Sequence, residues 1–360
     1  MISIRICTQI GLVLLVASTL AVAPATAGEH KRTAAGRPDL SGTYDAATLT
    51  PLQRPTAYGE NLYLTQEEAE KIATEERTRM AASGSVSNPE RDAPPDGGDG
   101  SQGASGNVGG YNTFWIDRGT DAFTVEGKFR TSIIIDPVNG RMPPMTPQAQ
   151  ANQASQFAEF ARGNDGTAWW LNEKGEGEGP FDNMEQRNSA ERCLLGFTGV
   201  APVLPSLYNN FKRIVQTEDH VMILIEMVHD ARIVRMNSEH LPAHVTKWLG
   251  DSIGWWEGDT LVVDTTNFRP ETSRRGSPET NHVVERFSLT EQGDVLYSFT
   301  VENPGVWTAP WTGEYVWRSS DEQVFEYACH EGNYALGNIM RGARLLEQDI
   351  ISTVGAGGQE

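Results

Sequence analysis

The patterning of the C-terminal half limits the possible folds more than any other feature of this chain. After Phe211 it repeats short runs rich in β-branched and aromatic residues: FKRIVQT, VMILIEMVH, ARIVRM, TLVVDTT, HVVERFSL, VLYSFTVE, GEYVWRS and QVFEYAC. Turn signals separate several of them, as at Glu291, Gly293 and Asp294. Many short strands at short spacing predict an all-β, predominantly antiparallel fold, a β-barrel or a sandwich with a few peripheral helices. One helix is expected over 65–82, where Thr65 and Glu68 have capping-box spacing and Ala69, Ile72, Ala73 and Met80 follow a helical period. A second is expected to start at Pro147, capped by Thr146 and stopped by Gly163. DLSGTYD at 39–45 reads as a possible edge strand, and KFRTSIIIDPVNG at 128–140 as a strand running into a turn.

The N-terminal residues have the layout of a secretory leader, with Arg5, an apolar stretch at 10–22 and small residues at 25–27, so residues 1–27 are expected to be removed. A periplasmic or secreted protein follows, and no second apolar stretch reaches the ~18 residues of a membrane span. Cys7 falls within the leader. The remaining pair, Cys193 and Cys329, is expected to form a disulfide in an oxidising compartment. Residues 28–110 form an extended lead-in, a helix and a Gly/Ser/Asp-rich segment at 83–110 that reads as a mobile loop or, alternatively, a lid. Residues 111–360 form the β-rich ligand-binding or catalytic domain. A formal charge of −19 argues against a nucleic-acid or anionic-membrane partner, leaving a small-molecule substrate or ligand.

WWEGDTLVVDT at 255–265 combines two indoles with three carboxylates. Glu257, Gly258 and Asp259 read as a hairpin turn. Asp264 shares a strand face with Val262 and Thr266, and faces inward only if that side is enclosed. Read as one alternating strand, VMILIEMVHDAR puts Val221, Ile223, Ile225, Met227 and His229 on one face, with Glu226, Asp230 and Arg232 on the other. Arg232 would then partner Glu226 directly or through Asp230. Glu285 shares a face with Val283, Phe287 and Leu289, opposite His282 and Arg286. His330 and Glu331 directly follow Cys329. Ionisable groups on apolar strand faces point to a shared polar pocket. Its candidate catalytic residues are Glu226, His229, Arg232, Asp264, Glu285 and His330, and its candidate substrate contacts are Trp255, Trp256, Tyr208 and Asn333.

The set DPVNGRMPPMT, RCLLGF, IVQTEDHVMILIEMVHDARIV, WWEGDTLVVDTTNF, HVVERF and CHEGNY resembles a broad family of exported bacterial proteins of unassigned function with lipocalin-type β-barrels, over about 117–347. The resemblance implies a β fold and a common pocket, and no particular reaction.

From the residues, the leading expectation is an enzyme acting on a small aromatic or apolar molecule by general acid–base chemistry, as a lyase, isomerase or hydrolase. In a Trp-lined cavity Glu226, Asp264 or Glu285 would act as acid or base, His229 would shuttle a proton, and Arg232 would stabilise an oxyanion. A carbohydrate-active enzyme with paired carboxylates and a non-catalytic binding protein are the alternatives. GxSxG, HExxH, CxxC and GxxxxGK[ST] motifs are missing, so serine hydrolase, zincin, haem and nucleotide chemistries have no local support. No cofactor and no metal are expected, although His229, His282 and His330 leave a dispersed metal site open.

Overall fold

The computed structural model describes residues 30–84, 116–161, 166–173, 179–270 and 278–356. The leader and most of the 83–110 segment lie outside these residues, as does Gly163. In chain order the strands are β1 (Gly42–Asp45), β2 (Thr124–Val125), β3 (Lys128–Phe129), β4 (Ile134–Asp136), β5 (Phe211–Gln216), β6 (His220–Ile225), β7 (Ala231–Met236), β8 (Asp251–Glu257), β9 (Thr260–Thr266), β10 (His282–Leu289), β11 (Val295–Glu302) and β12 (Trp311–Ser320). The helices are α1 (Gln66–Ser83), α2 (Pro147–Ala161), α3 (Trp170–Glu173), α4 (Cys329–Gly332) and α5 (Tyr334–Ala356).

Nine strands close into a barrel in the order β1-β5-β6-β7-β8-β9-β10-β11-β12, with the last third of β12 returning to β1. Every barrel pairing is antiparallel except β7 with β8, which run parallel and are joined by the 237–250 crossover. DLSGTYD is therefore no edge. Its four-residue strand β1 is hydrogen-bonded to β5 on one side and β12 on the other, and so completes the closure. QVFEYAC is not a strand, since residues 321–328 leave the barrel without a ladder partner. The expected hairpin at Gly258 is present: Glu257 pairs with Thr260, and Gly258 supplies the positive φ of 61° that the tight turn requires.

Strand alternation directs one face of each strand into the barrel. Val221, Ile223 and Ile225 of β6, Leu261, Val263 and Thr265 of β9, and Val283, Glu285 and Phe287 of β10 are all buried. Aromatic rings fill the centre: Tyr297 lies 5.0 Å from Phe287 and 4.8 Å from Trp317, and Phe299 meets Trp311 edge-on at 5.5 Å. Both ends are stopped. At one, Leu40 is fully buried, its N–H donating to Gln216 Oε1 at 2.9 Å. At the other, Val203 enters between two tyrosines, donating its N–H to Tyr297 Oη and accepting from Tyr315 Oη, each at 2.9 Å. The barrel is thus a packed core, and the tryptophans it contains are packing residues.

Thr65 and Glu68 form the expected reciprocal capping box of α1, at 3.2 and 2.8 Å. Thr146 Oγ1 likewise accepts from Ala149 N at 3.2 Å at the start of α2. The 23-residue α5 rests on Trp169, Trp170 and Phe181 through Ala343, Leu346 and Ile350. Among the described residues, no helix is long and apolar enough to cross a membrane.

Candidate functional site

The ionisable residues picked out by strand alternation do not share one pocket, because the structure distributes them among three places. Inside the barrel, Arg232 and Glu285 form a bidentate ion pair, Nη2 to Oε1 at 2.8 Å and Nη1 to Oε2. Tyr297 Oη donates to Glu285 Oε1 at 2.7 Å, and Arg232 Nη1 reaches Thr265 Oγ1 at 3.3 Å. Burial disfavours the charged guanidinium, but the adjacent carboxylate outweighs it and holds the Arg232 pKa above its ordinary value. The two side chains are 1% and 0% exposed, so the pair is shut off from solvent. Arg232 is not the partner of Glu226: β6 ends at Ile225, and the 226–230 turn reverses the chain before Arg232 enters β7.

The second place is the outer face of the barrel. Leu261, Val263 and Thr265 take the core side of β9, so Asp264 points outward. Its Oδ1 lies 2.9 Å from His282 Nε2 and 3.1 Å from His240 Nε2, and His240 Nδ1 lies 3.2 Å from Asp251 Oδ2. Asp251 is fully buried and takes Lys247 Nζ at 2.7 Å, Arg235 Nη2 at 2.9 Å and Leu241 N at 2.9 Å. Burial alone would raise its pKa, but Lys247, the Leu241 N–H and His240 bring it down to about 2. The Asp264 bond raises the His282 pKa. This ladder pins the 237–250 crossover to the strands beneath it. The indoles of WWEGDTLVVDT are nearby and engaged: Trp255 Nε1 donates to Glu257 Oε1 at 3.0 Å, and Arg37 stands 6.0 Å over Trp256. His240 was invisible to strand patterning because it lies in a loop and has no period to betray it.

The third place is a barrel mouth, where a buried carboxyl is bonded by a residue of a cavity wall. Glu226 is 6% exposed; its Oε2 accepts from Phe211 N at 3.1 Å, and the Asn209 side chain also bonds it. Burial raises its pKa. The turn that follows is strained, with Val228 at φ 59° and His229 at φ 44°, a left-handed conformation unusual for a β-branched residue. Asp230 folds back beneath the 193–203 segment, accepting from Gly196 N at 2.8 Å. A Cβ on Gly199 would stand 2.2 Å from Asp230 Oδ2, so the carboxyl fits only against glycine. Burial pushes the Asp230 pKa up to about 6.

Lys212 completes this group, and strand alternation could have found it: FKRIVQT places it on the inward face with Ile214. It is 0% exposed, its Nζ has no hydrogen-bond partner among the described residues, and burial lowers its pKa to about 8. Beside the mouth, Cys193 and Cys329 are joined in the expected disulfide, their Cα atoms 5.7 Å apart. A cavity of about 500 Å³ opens there, lined by Tyr208, Asn209, Glu191, Tyr327 and Asn333 among others. Tyr208 and Asn333 are thus wall residues, whereas His229 and His330 are exposed nearby. Asn209 connects the cavity wall to Glu226. Among the described residues no three His, Cys, Asp or Glu side chains are arranged to hold a metal ion, and His282 lies on the outer face, away from the mouth.

Comparison with protein-family models, with curated proteins and with solved structures gives no match.

Proposed function

We propose that the protein is an exported enzyme, periplasmic or secreted, that transforms a small aromatic or largely apolar molecule by general acid–base chemistry at this mouth. One observation carries the proposal: Glu226 is a buried carboxyl with a raised pKa, linked through Asn209 to a cavity with two tyrosines in its wall. A buried carboxyl whose pKa is raised is the kind of group that serves as general acid or base in elimination, isomerisation and hydrolysis. Asp230, at about 6, is a second proton carrier on the same turn. The resemblance to exported barrel proteins supports the location and leaves the reaction to the site.

The test is mass spectrometry of the protein incubated with aromatic dimers, terpenoid-like compounds and oligosaccharides. A compound replaced by a new mass is the expected result; a compound retained and returned intact makes the protein a binder. With a substrate in hand, Glu226→Gln keeps an oxygen for Phe211 N but loses the titrating proton. It should lower turnover about a hundredfold or more. Wild-type rates in that variant would remove Glu226 from the mechanism.

A further inference from the structure

We propose that the cavity at the mouth selects a cationic ligand, an amine or quaternary ammonium group carried on an aromatic or apolar body. This rests on the reading of the mouth as the active site, and narrows its substrate class by charge. Among the described residues that line the cavity there is no Lys, Arg or His, whereas Glu191 and Glu326 bring carboxylates and Tyr208 and Tyr327 bring aromatic rings. The arginines close to Glu191 in the chain are engaged: Arg187 takes both of its oxygens, at 2.9 and 3.1 Å, and Arg192 is bonded to Glu185. His330 follows Cys329 in the chain but is exposed and does not line the cavity. Glu191 is therefore balanced. Glu326 is not, because its exposed carboxylate makes no hydrogen bond or ion pair among the described residues.

The carboxamides of the wall are committed as well. Asn333 Nδ2 donates to Glu191 O at 2.7 Å and to Cys193 Sγ at 3.4 Å, its Oδ1 accepts from Leu336 N at 3.2 Å, and the Asn209 side chain bonds Glu226. An anion entering the cavity would meet the Glu326 charge with no cation in the wall to offset it. A cation meets an unpaired carboxylate and two rings. Both rings are half-buried and pack against the barrel core, which holds them in place beside the cavity. The negative face of an aromatic ring attracts an ammonium group, more strongly where water is excluded. The volume of about 500 Å³ falls within the roughly 300–1,000 Å³ of small-molecule sites.

Probes of similar shape and different charge test the proposal: benzylamine, a cation at neutral pH, benzyl alcohol, which is neutral, and benzoate, an anion. Their binding to the full-length protein is measured by ligand-observed NMR titration at low ionic strength. Benzylamine should bind about tenfold more tightly than benzyl alcohol, with benzoate the weakest, and the advantage should shrink as added salt screens the charge. Glu326→Gln alters an exposed side chain that has no partner in the fold, so it should cut benzylamine affinity about three- to fivefold and leave benzyl alcohol unchanged. Tyr327→Leu should weaken benzylamine by a similar factor, and Tyr327→Phe, which keeps the ring, should restore it. Equal affinities for the probes, or benzoate as the tightest, would overturn the assignment. So would benzylamine binding that is unchanged in Glu326→Gln, because the cation would then be held by the acidic surface at large. Either result leaves the acid–base reading to its own test with the compound panel. Selective benzylamine binding in a protein that returns every amine intact removes the enzyme reading alone and keeps the charge assignment.

Discussion

Glu285, with no exposed surface, takes both arms of the Arg232 guanidinium and the Tyr297 hydroxyl in the middle of the barrel. Removing its charge leaves Arg232 buried and uncompensated, a loss typically of about 3–5 kcal/mol. Glu285→Gln should therefore show a large drop in unfolding free energy by urea titration, and an unchanged midpoint would mean that the pair contributes nothing to the fold. Alternation along HVVERFSL correctly puts this carboxylate among Val283 and Phe287. It cannot say whether the enclosed space is a cavity or a packed core, which is why the residue reads as catalytic in sequence and is a core ion pair in the fold. Lys212 is the reverse case: alternation along FKRIVQT could have placed it inward with Ile214, but only the packing shows that its Nζ has no hydrogen-bond partner among the described residues.

Among the elements, the 237–250 crossover is the one that departs from a simple meander, because it allows β8 to lie parallel to β7. It is held by the ladder from Asp251 through His240 and Asp264 to His282. His282 has a raised folded pKa, so its contribution is fully present below its unfolded value of roughly 6.5 and is lost as pH rises through the folded value. Asp264 has a lowered one: burial opposes its charge, but His282 and His240 outweigh it. Its contribution is present above roughly pH 3.8 and is lost as pH falls through the folded value. The ladder should thus stabilise most at mildly acidic pH. His282→Gln should be destabilised relative to wild type more at about pH 5.5 than at about pH 9, measured by urea unfolding at both. An equal deficit at the two values would mean that the imidazole charge has no part in holding the crossover.

At the scale of the molecule, the Cys193–Cys329 bond ties the 193–203 segment, which plugs one barrel end, to the chain leaving β12 across a separation of 136 residues. A chain-entropy treatment of a loop this long gives roughly 4 to 5 kcal/mol. Reduction, or the double change Cys193→Ser and Cys329→Ser, should lower the melting temperature, and added reductant should have no further effect on the double variant. Equal melting of oxidised and reduced protein would show that the plug is held by Val203 and its tyrosines alone.

Local features of the chain were decided by sequence: the β class, the capping box at Thr65, the turn at Gly258, the pairing of the two remaining cysteines and the apolar neighbours of Glu285 on β10. Each follows from a period, a cap or a count that acts over a few residues. What only the tertiary structure decided is non-local. Closure by four residues of β1, the one parallel pairing, Arg232 meeting Glu285 instead of Glu226, and His240 reaching Asp264 from a loop all depend on segments tens or hundreds of residues apart. The site follows the same division. Sequence supplied carboxylates on apolar faces, and packing decided which remain in a filled core, which brace the outside, and which is buried one residue behind a cavity wall, where burial raises its pKa.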